Sequence, residues 1–253
     1  RELRPFAQLE GQGFFTKAVQ DAVLNGRADL AVHSYKDLPS AQHPELTIAA
    51  VPPRADVRDV LLALPPRYSP KSGVLPLARG ASVGSSAARR RAQLLALRPD
   101  LHPLDLRGNV ETRVGKLRDG QYDAILLAAA GLQRLELDLT DLQVTPLEPT
   151  TFLPAPAQGA LALECRADRG GLRRVLAQID HTATSRTVAA ERGLMARLDG
   201  GCQLALGAHA TADGPRITLT AWYEGRVVSV QHESVAGVVE AAFTALNRDE
   251  APA

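Results

Sequence analysis

An α/β architecture built from more than one domain is predicted by three features of this chain. Apolar strands repeatedly run into polar or basic turns and then into helical patterns, the connections between them are short and marked by Gly or Pro, and 253 residues exceed one compact core. From Phe15 the apolar positions Val19, Ala22 and Val23 recur at helical spacing, so a helix is expected to end near Asn25 with Gly26 as its left-handed stop. Leu30-Ala31-Val32 is apolar on both faces, the pattern of a strand buried inside a parallel sheet, and His33-Ser34-Tyr35-Lys36-Asp37-Leu38-Pro39 lies at its carboxyl end.

The same plan recurs three times. Ala81-Ser82-Val83 runs into Gly84-Ser85-Ser86 and then a helix from Ala88 to Leu97, halted before Pro99. Leu104-Asp105-Leu106 runs into Arg107-Gly108-Asn109, with Asn109 as N-cap of a helix from Val110 to Arg118 and Gly120 as its stop. Tyr122 to Ala129 reads as a strand ending at Gly131-Leu132-Gln133-Arg134. Mainly parallel sheets follow from this alternation. The Pro-bearing stretches Val51-Pro52-Pro53 and Thr145-Pro146-Leu147-Glu148-Pro149 bracket the middle units as crossings between domains. Leu161, Leu163 and Cys165 alternate with Ala162 and Glu164 as a returning strand, with Cys165 in the core. Beyond about residue 173 a helix ends at Gly200-Gly201. Two strands then turn at Glu224-Gly225, and a helix around Val238 to Leu246 closes a small α+β domain.

Composition narrows the function. Lys plus Arg number 29 against 28 Asp plus Glu, a net charge of +1, and aromatic residues make up 4%. A nucleic-acid module using Arg89, Arg90 and Arg91 is therefore disfavoured, and a small-molecule partner favoured. No apolar run approaches a membrane span or signal peptide, the two cysteines form no disulfide framework, and the six histidines lack metal-ligand spacing. A cytoplasmic protein without a metal is expected.

Ligands of open α/β sheets sit outside the carboxyl ends of strands, and every such end here carries polar or basic groups. Lys36 and Asp37 follow the first, Ser85, Ser86, Arg89 and Arg90 the second, Arg107, Asn109 and Arg113 the third, and Arg134 the fourth. Guanidinium forks around a cleft suit a ligand with many carboxylates, the alternative being arginines on solvated helix faces, as expected for Arg91 and Arg118. Asp37 could stabilise a cation or relay a proton, or serve as a cap or a Lys–Asp surface pair. Cys202 follows Asp199-Gly200-Gly201, a backbone that can present a thiol to a cleft, although a lone cysteine there is otherwise inert packing.

These residues fall in a recognisable order. Gly26-Arg27-Ala28-Asp29-Leu30 through Lys36-Asp37-Leu38-Pro39, Val83-Gly84-Ser85-Ser86 with Arg89-Arg90, and Leu106-Arg107-Gly108-Asn109-Val110 with Thr112-Arg113 come first. Leu153-Pro154-Ala155 with Gln158-Gly159-Ala160, and Glu191-Arg192 leading to Gly200-Gly201-Cys202-Gln203, follow. From about residue 11 to 207 the chain resembles the porphobilinogen deaminase family in one register. Ala87 departs from it where many members have a serine, Gln12 where a lysine is usual, Ala18 where a glutamate is usual and Ala205 where a proline is common.

The resemblance implies two periplasmic-binding-protein-like α/β domains around a cleft plus a small α+β C-terminal domain. Domain 1 would comprise 1–53 and 150–172, lacking the family's first strand and helix, domain 2 would be 54–149, and domain 3 would be 173–253. It implies a dipyrromethane cofactor joined by a thioether to Cys202 and contacted by Lys36, Ser85, Ser86, Arg89, Arg90, Asn109 and Arg113. Porphobilinogen would be the substrate, bound by Ser34, Arg107 and Arg134, with Asp37 catalytic and the protein a monomer. The rival is a periplasmic-binding module that holds an anion without transforming it, and Cys202 in its Gly-Gly-Cys-Gln setting is the feature such a receptor does not need.

Overall fold

The computed structural model describes residues 14–198 and 204–248. Helix α1 (Phe14–Leu24) leads through Gly26, whose φ of 68° ends it, into β1 (Leu30–Ser34). A single 3-10 turn, Tyr35–Asp37, follows β1, and then β2 (Leu46–Ala50). These join β8 (Leu161–Arg166) in a three-stranded sheet of order β1-β8-β2. The sheet is antiparallel throughout, with Leu30 opposite Cys165 and Ser34 opposite Leu161. The parallel burial expected for Leu30-Ala31-Val32 is thus corrected. Strand β1 has one partner among the described residues and alternates along its length, leaving Val32 56% exposed. Its partner arrives from 131 residues away, so local pattern carried no information on strand direction. Cys165 is fully buried, as its alternation implied.

The second sheet has the order β5-β4-β6-β3-β7. It contains β3 (Asp59–Ala63), β4 (Ser82–Gly84), β5 (His102–Leu104), β6 (Ala124–Ala128) and β7 (Gln143–Leu147). Strand β4 pairs parallel with β5 and β6, whereas β3 runs antiparallel to both β6 and β7. Its central strands β3 and β6 are buried on both faces. Leu61, Ala63, Ala124 and Leu126 enter one apolar cluster, and Val60, Leu62, Ile125 and Leu127 enter another. Thr145 to Leu147, read as part of a crossing, belongs to β7, where Pro146 is tolerated because β7 is an edge.

Three helices follow strands of this sheet. α2 (Ala88–Leu97) and α3 (Val110–Arg118) have the limits that the caps and stops indicate, and the Asn109 side chain accepts from the Thr112 amide at 2.8 Å. Gly131 to Arg134, expected at a strand end, instead lies in α4 (Ala129–Leu135), which begins directly after β6. At seven residues it is too short for apolar periodicity to show. The third strand also ends earlier than expected, at Leu104, and Leu106 is buried beyond it.

After α5 (Gly170–Leu176) comes α6 (Thr182–Arg197). A meander of β9 (Gly207–Asp213), β10 (Arg216–Tyr223) and β11 (Arg226–His232) then packs with α6 and α7 (Val235–Asn247). Ile217, Leu219 and Ala221 meet Leu194, Val238, Ala242 and Leu246 in its core. Glu224 and Gly225 both have positive φ, 50° and 83°, as a two-residue hairpin turn requires. The chain is therefore α/β with a small antiparallel sheet at its C-terminal end.

Gly159 is where the backbone is tightest. Its φ is 84°, and a Cβ there would lie 2.7 Å from the Ala55 carbonyl oxygen. Gly159→Ala should lower stability by about 1–3 kcal/mol, read from the urea midpoint. Gly171→Ala, in α5 with open space around it, should be neutral or stabilising by up to about 1 kcal/mol.

Candidate active site

A cavity of about 190 Å³ lies between the end of β1 and the second sheet. Ser34, Lys36, Gly159 and Ala160 form one wall, and Arg90, Arg113, Arg134, Val110, Leu127, Ala128, Ala130 and Gly131 the other. Five of the residues singled out from sequence, Ser34, Lys36, Arg90, Arg113 and Arg134, meet around it. Val110 and Ala130 stand in the first turns of α3 and α4, and the start of a helix favours negative charge.

The cations are held by a carboxylate that the sequence reading did not identify. Asp59, the first residue of β3, has no exposed surface. Its Oδ2 accepts from Arg89 Nη1 at 2.7 Å, and its Oδ1 accepts from Arg90 Nη2 at 2.6 Å, Arg90 Nε at 3.0 Å and Gln158 Nε2 at 3.0 Å. Burial alone would raise its pKa, but the two guanidiniums outweigh that and hold the carboxyl well below its usual range. Arg89 also donates to the Leu153 carbonyl and Arg90 to that of Leu126. Arg89 is thereby buried behind the cavity, while Arg90 lines it. A charged residue opening an apolar run, as in Asp59-Val60-Leu61-Leu62-Ala63, was the available signal, because such a group needs a buried partner.

Lys36 donates from Nζ to Gln158 Oε1 at 3.4 Å, which links it through Gln158 to Asp59. Burial, followed by the nearby charge of Arg90, lowers its pKa to about 8, while Asp37 and Asp59 oppose the shift. Arg113 is half-buried, donates from Nε to the Gly108 carbonyl, and feels the charges of Arg90 and Asp37. Asp37 itself is exposed at the turn after β1, beside Lys36.

Other expected site residues are engaged by the protein. Ser86 Oγ donates to the Leu106 carbonyl and accepts from the Leu106 amide, tying the ends of β4 and β5 together. Ser85 is buried, with its amide on the Leu104 carbonyl. The Asn109 side-chain oxygen caps α3. Arg107 is exposed, and its carbonyl accepts from Lys116 Nζ. Arg91 and Arg118 pair with Asp105 and Asp141 on the surface. Cys202 lies outside the described residues.

The turn carrying Lys36 and Asp37 is fixed from α6. Arg192 donates to the carbonyls of Tyr35, Leu38 and Pro39 at 3.1, 3.1 and 2.6 Å, and its guanidinium stacks 4.5 Å from the Tyr35 ring centroid. The preceding residue, Glu191, has no exposed surface, pairs bidentately with Arg54 and accepts from the amides of Ala157 and Ala210.

The donor set suits a cofactor bearing several carboxylates, because four cationic side chains line one cavity and only some of their charge is compensated within the protein. Lys36, Arg90 and Arg113 are positioned to hold such a group.

Comparison with known proteins agrees. Residues 1–174 match the family model described as "Porphobilinogen deaminase, dipyromethane cofactor binding domain", and residues 185–233 match the C-terminal domain model of the same family. Curated relatives named porphobilinogen deaminase include that of Roseiflexus sp. (strain RS-1), 48% identical over 85% of this chain and 69% of its own length. Those of Nitratidesulfovibrio vulgaris (strain DSM 19637 / Miyazaki F), 47% over 83% and 64%, and Mycobacterium marinum (strain ATCC BAA-535 / M), 50% over 79% and 62%, also match. The chain thus spans 62–69% of the length of these relatives. Among solved structures, the periplasmic VFT2 domain of Bordetella pertussis BvgS is alike only loosely, with a TM-score of 0.40 and 16% identity over 65% of this chain and 66% of that one.

Removing the negative half of the buried cluster should be severe. Asp59→Asn leaves two guanidiniums with no counter-charge and should cost about 3–5 kcal/mol, measured by urea unfolding. Lys36 provides a pH test. Below pH 8 it is charged, and a carboxylate beside it favours that form, so carboxylate binding should take up a proton and weaken as pH rises through 8. In protein carrying 13C-methylated lysines, the resonance lost in Lys36→Arg should titrate near pH 8 and shift upward when citrate is added.

Proposed function

Because the chain belongs to the porphobilinogen deaminase family, we propose that it deaminates four porphobilinogen molecules and joins them head to tail into the linear tetrapyrrole hydroxymethylbilane. Ammonia is released at each addition, and the reaction takes place in the cytoplasm, where a thiol at Cys202 stays reduced. The observation that carries this reading is the convergence of Lys36, Arg90, Arg113 and Arg134 on one cavity, with the Asp37 carboxylate beside it.

Each porphobilinogen ring bears an acetate and a propionate, and the guanidiniums around the cavity match such carboxylates. Lys36, with its pKa near 8, is charged at neutral pH and adds a point cation. When the C–N bond of the aminomethyl group breaks, the electron pair leaves with ammonia and positive charge remains on the pyrrole. Asp37 supplies a fixed negative charge for that cation and an acceptor for the pyrrole N–H. The dipyrromethane cofactor, joined at Cys202 in the Gly200-Gly201-Cys202-Gln203 motif, supplies the nucleophilic pyrrole carbon at which the chain starts. Arg90, Arg113 and Lys36 would hold its carboxylates. Arg89, Ser85, Ser86 and Asn109 act behind them by fixing the strand ends and the start of α3, and Ser34, Arg107 and Arg134 serve the incoming rings.

The reading is tested on the purified protein. Intact mass should exceed the sequence mass by two pyrrole units, and Cys202→Ser should abolish the increment. Asp37→Asn should retain the fold while losing turnover by roughly 10²-fold or more, because the amide keeps the shape but not the charge. An unmodified mass in an active preparation, or near-normal turnover in Asp37→Asn, would overturn it.

A further inference from the structure

The proposed chemistry needs the Asp37 charge in a fixed place, yet Asp37 is exposed and sits in a 3-10 turn of only three residues. Such a turn has little intrinsic stability. It is anchored at its start by the Tyr35 amide on the Ala160 carbonyl, 3.0 Å away. Within it only one backbone bond closes, from the Leu38 amide to the Tyr35 carbonyl at 3.3 Å. The far end is held by Arg192, which takes the carbonyls on both sides of Lys36-Asp37 into one planar fork and covers the Tyr35 ring.

We infer that Arg192 is a positioning residue that sets the Asp37 carboxylate against the reacting ring by clamping the backbone from Tyr35 to Pro39. This rests on the proposed function. Three features of the geometry carry it. Arg192 is 7% exposed and lies on α6, so it is held by an element outside the turn. Its neighbour Glu191 fixes α6 against Arg54, Ala157 and Ala210, so the clamp is attached to a frame. Three of its acceptors are backbone carbonyls spread over five residues, which a flat, multi-donor cation can satisfy together. A lysine at 192 would keep the charge but could not span Tyr35, Leu38 and Pro39 at once.

A misplacement of about 1 Å can cost on the order of 10²-fold in rate without changing substrate contacts. Accordingly, Arg192→Lys and Arg192→Met, prepared in the cofactor-loaded protein, should show kcat reduced by about 10²-fold with KM for porphobilinogen nearly unchanged. The two-pyrrole mass increment should persist. Independently of turnover, hydrogen exchange at the amides of Lys36, Asp37 and Leu38 should accelerate at least tenfold in both variants, while the amides of β6 exchange as in the wild type. Wild-type exchange at those three amides overturns the inference, as does a rise in KM with kcat preserved or loss of the mass increment. Arg192→Lys is the milder change, so if Arg192→Met fails to fold, the lysine variant decides. If the wild type itself does not turn over porphobilinogen, the proposed function fails, while the exchange measurement still decides whether Arg192 clamps the turn.

Discussion

The Asp59 carboxylate lies beneath two consecutive arginines at the start of α2, and the cationic cavity depends on it. Burying Arg89 or Arg90 without a partner would cost several kcal/mol, and placing two together would add their repulsion. Asp59 offsets this by accepting from both, and its Oδ1 additionally accepts from Gln158, which in turn accepts from Lys36. One carboxylate does not neutralise two guanidiniums. Burial, and after it the residual field of Arg90, disfavours charge on both Lys36 and Arg113. The protein therefore maintains positive charge that a carboxylate-bearing ligand, rather than the fold, completes.

A second constraint comes from two adjacent residues of α6. Glu191 ties Arg54 and the amides of Ala157 and Ala210, and Arg192 ties the turn after β1. Both side chains are buried, and consecutive residues on a helix point about 100° apart, so two adjacent positions of α6 serve two different segments. The wall formed by Lys36, Gly159 and Ala160 is fixed by these bonds and by the close approach of Gly159 to Ala55.

What was legible in the sequence follows from how local its cause is. Asn109 and Gly120 bound α3, and Gly26 stops α1, because caps and left-handed positions are decided within a few residues. Lys36, Arg90, Arg113 and Arg134 were singled out because they follow strand ends, and they line one cavity even though the first sheet is antiparallel and Arg134 is on a helix. Strand β3 was not legible, since its partners β6 and β7 lie about 60 to 90 residues further on and its run of apolar residues has no periodic signal. With β3 unseen, Asp59 had no place in the site. Ser86 and Asn109 carry the polar groups a ligand could use, but their local bonding to Leu106 and Thr112 is visible only once the loops are in place.

The contrast between Asp37 and Asp59 shows how one cleft can hold two carboxylates in opposite settings, and it bears on the task proposed for Asp37. Asp59 is surrounded by donors on both oxygens, so its charge is consumed in holding the structure. Among the described residues no ion pair claims Asp37, although Lys36 and Arg113 are near enough for their charges to feel it. A carboxylate locked in a close pair would have to break that pair before meeting a developing cation, and the energy of doing so would be added to the barrier. A carboxylate whose backbone is rigid but whose oxygens are uncommitted meets the cation with little reorganisation. The support is external to Asp37 and comes through Tyr35, Leu38 and Pro39 from α6, so the cost of ordering the turn is met during folding.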